Sequence, residues 1–188
     1  MITPNRLTIL RLFIAVACPP ILILSSALST DYVAVALFTA ACITDWWDGH
    51  LARKKAMVTS TGAILDPIAD KLLILGLMGT FSYLGLYGIE WIVLIAAREI
   101  LVTWTRFMLL VRGRVVSAEG MGKLKVGIQI VSIYFSFIFL IAGDIYGEWG
   151  RGEAALPFFE MLHFIGIALA NVITVVSGAT FFYRLRKA

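Results

Sequence analysis

The chain has 188 residues, of which 60% are hydrophobic and 15% charged, and its mean hydropathy is +0.91. A soluble domain is about 45–50% apolar and about 25% charged, so a water-exposed globule is excluded and a polytopic membrane protein is expected. The net charge of +4 and the pI near 9.2 do not indicate a nucleic-acid partner. The basic residues stand at the ends of apolar runs, where membrane lipid headgroups and the cytoplasmic bias of Lys and Arg account for them.

The length suits one domain over residues 1–188, all-α, with about six transmembrane helices of roughly 20 residues each. The first apolar run covers Leu7 to Leu28. Arg6, Arg11 and the small residues Ser25–Ser29 give it a superficial likeness to a secretory signal, but Pro19-Pro20 interrupt it and further spans follow, so an uncleaved membrane helix is expected. The second run covers Tyr32 to Leu51. The third covers Gly62 to Leu84, where Gly76 and Gly79 suit close helix approach, within one chain rather than at a dimer seam. The fourth, Trp91 to Val111, carries Arg98, Glu99 and Arg106 among apolar residues. The fifth covers Val126 to Ala142 and the sixth Leu156 to Tyr183. Cys18 and Cys42 have neither C-x-x-C spacing nor partner histidines, and read as small buried hydrophobes rather than a disulfide or zinc site. His50 and His163 have no second histidine at ligand spacing and read as packing or interfacial residues. Trp91, Trp149 and Tyr183 read as interfacial anchors.

Lys and Arg set the orientation. The connections near Ser29 and Leu86 carry neither, and the one near Gly147 carries only Arg151. The opposite side carries Arg6, Arg53, Lys54, Lys55, Arg112, Arg114, Lys123, Lys125, Arg184, Arg186 and Lys187. Both termini are therefore expected in the cytoplasm.

Asp45, Asp48, Asp66 and Asp70 stand on that same side, in the pattern D-x2-D-G-x2-A-R-x8-G-x3-D-x3-D. A carboxylate at membrane depth costs about 2.5–3.5 kcal/mol on insertion scales and marks a functional site by default. Asp45, Asp48, Gly49 and Ala52 share one helical face, as do Gly62, Asp66 and Asp70, so two stripes can meet across a short turn. Oxygen-only ligands favour Mg²⁺ or Mn²⁺, and two divalent ions would balance four carboxylates. The glycines and Ala52 leave a groove beside them, and Arg53 at its rim suits a forked phosphate contact. Pro67 leaves two readings open: Asp66 caps a helix beginning there, or a helix already running is distorted.

The array resembles the signature of the CDP-alcohol phosphatidyltransferase family at every fixed position: Asp45, Asp48, Gly49, Ala52, Arg53, Gly62, Asp66 and Asp70. The opening TPNRLTILR, with Asn5, Thr8 and Arg11, looks like the same family's N-terminal segment. The resemblance implies that Asp45, Asp48 and Asp66 bind two metal ions and that Asp70 is general base and a further metal ligand. It places Asn5, Thr8, Asp48, Gly49, Ala52, Arg53 and Gly62 around the cytidine nucleotide and diphosphate of CDP-diacylglycerol. An alcohol would attack the β-phosphorus and CMP would leave. AREILVTWTR and GKLKVGIQ resemble the phosphatidylglycerophosphate-forming branch, which implies glycerol 3-phosphate as acceptor, held by Arg98, Arg106, Lys123 and Lys125. Val126 stands where that branch leads one to expect a small polar residue. A homodimer in a bacterial inner (plasma) membrane, with a cytoplasmic active site, is also implied.

Three other readings compete. One is the same family with another acceptor: inositol phosphate, serine or phosphatidylglycerol. A membrane prenyltransferase would carry two separate similar aspartate motifs, whereas here both pairs lie in one hairpin. A divalent-cation transporter would need polar groups along several helices, and the half of the helices away from the aspartates reads as almost wholly apolar.

Overall fold

A computed structural model describes residues 4–24, 28–55, 60–112, 120–149 and 156–187, and among these the protein is six α-helices with no strand. They are α1 Pro4–Leu24, α2 Leu28–Lys55, α3 Ser60–Tyr83, α4 Ile89–Val111, α5 Gly120–Trp149 and α6 Leu156–Lys187. Three hold stretches long and apolar enough to cross a membrane: Leu28–Asp45, Leu124–Ile145 and Pro157–Lys187. A shorter apolar stretch covers Thr8–Leu24. In α4 the charges of Glu90, Arg98, Glu99 and Arg106 fall within 23 residues and interrupt an otherwise apolar helix.

The helices overrun the apolar runs that define them. α2, α5 and α6 have 28, 30 and 32 residues. At about 1.5 Å per residue they reach roughly 42–48 Å, beyond a hydrocarbon core of about 30 Å. An intrahelical ladder satisfies the backbone in either solvent, so a helix need not stop where its apolar residues do. Asp45 closes the 18-residue apolar stretch of α2. The signature therefore begins where the span ends. α3 starts at Ser60 and runs through Asp66 and Pro67. Of the two readings at Pro67, the helix-capping one is thus excluded. α1 likewise continues through Pro19 and Pro20 to Leu24.

α1 packs on α2 and α3, α5 packs on α6, α5 also meets α2 and α3, and α4 leans on α3 and α6. Gly76 of α3 faces Ala15 and Pro19 of α1 at ordinary contact distance, so it serves packing within the chain. Phe38, Phe81 and Phe137 join α2, α3 and α5 at the centre, with Phe81 and Phe137 edge to face at 5.0 Å and 89°. In lipid such contacts stabilise through close packing, since the tails are as apolar as the side chains. Phe13, Val16, Leu24, Val111 and Val172 point outward, as a lipid-facing coat requires. Cys18 and Cys42 are free thiols.

The end away from the signature is not wholly apolar, contrary to the sequence reading. His163 is fully buried. Its Nδ1 lies 3.1 Å from Ser136 Oγ and its Nε2 3.3 Å from the Leu86 carbonyl oxygen. Tyr87 and Phe139 stack on its ring at 5.1 and 5.3 Å. The α3–α4 connection that supplies Leu86 turns at Gly85, whose φ of 82° suits glycine, and Leu86 N–H closes the helix end on Phe81 O at 3.0 Å. Burial pushes the Tyr87 phenol above its ordinary range, so it stays a donor, here to Met78 O at 3.2 Å. Asp31 is also buried, facing Asp144. Single polar residues were visible in the chain, but periodicity does not tell which of them meet across helices.

Candidate active site

Arg11 is the only arginine among the largest fully buried side chains of the described residues, 1% exposed on α1. A guanidinium at such depth persists only when paired. Its Nη1 lies 2.9 Å from Asp45 Oδ1 on α2 and 2.7 Å from Asp70 Oδ1 on α3. Both carboxylates are about half exposed, at 53% and 41%. Three helices thus meet at one nitrogen, and the two helices of the aspartate hairpin direct oxygens at the same point. The sequence reading placed Arg11 only in a resembling N-terminal segment. Nothing in its spacing signals that it reaches the aspartates.

Asp48, Gly49, Ala52 and Arg53 lie on α2, Gly62 and Asp66 on α3, and Asn5 on α1. Their side chains, with those of Lys123 on α5 and His50 on α2, fall outside the described residues. Thr8 is buried on α1. Among the described residues no three acidic, cysteine or histidine side chains gather in one place, and two of the four aspartates are not among them.

Asp70 also forms one edge of a cavity of about 560 Å³ bounded by α3, α4, α5 and α6. Lys71, the next residue, turns to α4, where its Nζ donates to the Thr103 hydroxyl. Arg98 is held at both tips of its fork: Nη1 donates to Glu99 Oε1 at 3.1 Å and Nη2 to Ser177 Oγ at 2.7 Å. Gly178 makes room for it, because a Cβ there would stand 3.2 Å from Arg98 Cγ. Lys125, buried on α5, donates to the same Glu99 oxygen. Arg106 lies over the Phe181 ring at 5.3 Å, a cation–π distance. Gln129 Nε2 donates to Thr174 Oγ1 at 3.2 Å behind them. The lining thus carries four cations, Lys71, Arg98, Arg106 and Lys125, against two carboxylates, Asp70 and Glu99. The Nε atoms of Arg98 and Arg106 are buried and have no hydrogen-bond partner among the described residues. An excess of two positive charges with unmet donors suits a doubly charged phosphate ester.

Arg98, Arg106 and Lys125 were singled out from the sequence, and the structure brings them to one cavity. Arg98 is also paired with its acidic neighbour Glu99. Lys71, Thr103, Ser177, Gly178 and Phe181 were not singled out for this cavity. Lys71 was legible only as a neighbour of Asp70, and the others come from helices whose rotation no motif fixes. His163 is a packing residue and not an interfacial one.

The sequence profile of the CDP-alcohol phosphatidyltransferase family matches residues 1–176. A CDP-diacylglycerol–glycerol-3-phosphate 3-phosphatidyltransferase of Bacillus subtilis is 32% identical over 146 residues, 78% of this chain and 69% of the relative. A probable phosphatidylglycerophosphate synthase of Mycobacterium tuberculosis is 38% identical over 157 residues, 81% of this chain and 65% of the relative. The matched region thus spans about two thirds of those two proteins. A CDP-diacylglycerol–glycerol-3-phosphate 3-phosphatidyltransferase of Rickettsia typhi is 33% identical over 181 residues, 95% of this chain and 94% of the relative.

Proposed function

The chain belongs to the CDP-alcohol phosphatidyltransferase family, and on that premise we propose that it transfers a phosphatidyl group from CDP-diacylglycerol to glycerol 3-phosphate, giving phosphatidylglycerophosphate and CMP. The carrying observation is the cavity that begins at Asp70 and holds four cations against two carboxylates. It offers a phosphorylated acceptor a seat beside a carboxylate that can take its proton. Cations alone would also suit inositol phosphate; the names of the relatives favour glycerol 3-phosphate.

Asp45, Asp48, Asp66 and Asp70 would hold two Mg²⁺ or Mn²⁺ ions. Their fit rests on Asp45 and Asp70, which already point oxygens at one cationic centre, the Arg11 nitrogen. An all-oxygen donor set suits these hard ions. Bound there, they would supply positive charge to the diphosphate. Asp70 accepts the proton of the acceptor hydroxyl. The hydroxyl oxygen bonds to the β-phosphorus, the bond from that phosphorus to the bridging oxygen breaks, and its electron pair departs with CMP. Arg98, Arg106, Lys125 and Lys123 hold the acceptor phosphate. Asn5, Thr8, Asp48, Gly49, Ala52, Arg53 and Gly62 line the nucleotide. The apolar outer faces keep the acyl chains in lipid while the polar end stays wet. The reading takes residues 1–188 as one catalytic unit, working as a homodimer in a bacterial inner (plasma) membrane with site and termini cytoplasmic.

The test is CMP release by purified protein from CDP-diacylglycerol with a panel of acceptors. Release is expected with glycerol 3-phosphate and not with serine or phosphatidylglycerol. Equal turnover with serine or phosphatidylglycerol would overturn the acceptor assignment.

A further inference from the structure

Glu99 is 7% exposed, on α4, within a cavity whose other features favour an anion. By charge alone a carboxylate there opposes phosphate binding. Its geometry is specific all the same: one oxygen, Oε1, receives both Arg98 Nη1 at 3.1 Å and Lys125 Nζ. Arg98 is the adjacent residue of α4, and Lys125 comes from α5, 26 residues away. Two cations converging in a half-buried cavity repel each other before any ligand arrives, and a buried ammonium without a carboxylate must reach for water. Ser177 fixes the other tip of Arg98 at 2.7 Å.

We propose that Glu99 is a positioning residue that holds Arg98 and Lys125 converged for the acceptor's phosphate, so that it sets acceptor affinity and leaves the transfer step to Asp70. The inference rests on reading the cavity as the acceptor site. It differs from a bulk charge effect in sign: removing a negative charge would tighten anion binding, whereas releasing the two cations weakens it. Preorganised donors need not be ordered when the ligand binds, which is where the affinity arises. No described contact of Glu99 reaches α1 or α2, so the donor side should be indifferent to it.

The experiment compares wild type, Glu99→Gln, Glu99→Asp and a remote control, Ser136→Ala, in purified full-length protein. Glu99→Gln should raise the acceptor KM at least about tenfold, with donor KM within about twofold and kcat within about threefold; Glu99→Asp should recover part of the loss. Ser136→Ala should lower Tm and leave the acceptor KM alone. Inorganic phosphate, with no donor present, should raise the Tm of wild type and not of Glu99→Gln. An acceptor KM unchanged or lowered in Glu99→Gln, or a donor KM raised equally, overturns the role of Glu99. If Glu99→Gln does not fold, the acceptor KM of Glu99→Asp decides in the same way. If wild type ignores glycerol 3-phosphate while the phosphate-induced shift still depends on Glu99, the acceptor assignment falls and the positioning role stands.

Discussion

The two ends of the helix bundle bury polar groups in opposite ways. Away from the signature, an aromatic cluster closes on itself: His163 is bonded at both ring nitrogens and stacked against Tyr87 and Phe139. At the signature end the groups are charged, they are paired across helices, and a cavity of about 560 Å³ lies among them. The Nε atoms of Arg98 and Arg106 there have no partner among the described residues. A satisfied network rigidifies, while donors left over beside a void wait for something that enters. One end is built to hold the helices and the other to hold a ligand.

Substitutions at each end sharpen that contrast. The largest effect is expected from Asp70→Asn, which keeps size but cannot take a proton. Turnover measured as CMP release should fall about 10²–10⁴-fold, beside a modest fall in Tm from the weakened pairing with Arg11. A near-normal rate would remove Asp70 from the chemistry. His163→Ala should do the reverse, lowering stability by about 2–4 kcal/mol through a cavity and lost hydrogen bonds while both KM values hold. A changed acceptor KM in that variant would break the division between the ends.

Arg11→Ala leaves two carboxylates facing each other. Because both are about half exposed, the loss should be about 1–3 kcal/mol, below that of a fully buried pair, read as a fall in Tm in chelator. Arg106→Ala should raise the acceptor KM roughly tenfold with kcat preserved, the mark of lost ground-state binding. The smallest effect is expected from Gly178→Ala. A Cβ 3.2 Å from Arg98 Cγ obliges the arginine to shift by a few tenths of an ångström, and the acceptor KM should rise about two- to fivefold.

The membrane class, the six helices and the place of the aspartate hairpin were legible because each rests on local pattern: apolar length, charge at run ends, and spacing within two adjacent helices. Arg98 and Arg106 were legible because a charge inside an apolar run is conspicuous, and Lys125 because it stands in the stretch GKLKVGIQ. Arg11 as a bridge to Asp45 and Asp70 was not legible, because its partners lie 34 and 59 residues away and only packing decides which face of α1 turns inward. The same holds for Ser177 and Gly178, ordinary small residues in an apolar helix until Arg98 lies against them. The His163 cluster was missed for a related reason: a lone histidine carries no pattern.

Asp70 and Lys71 are consecutive residues of α3, one bonded toward α1 and α2 through Arg11, the other toward α4 through Thr103. A single peptide unit of one helix thus separates the carboxylate at the Arg11 junction from a cation of the cavity lining. Rocking of the surrounding rods can widen or narrow the cavity, yet it leaves that interval untouched; on the proposed reading the proton acceptor keeps its spacing from that cation whatever breathing admits a bulky lipid.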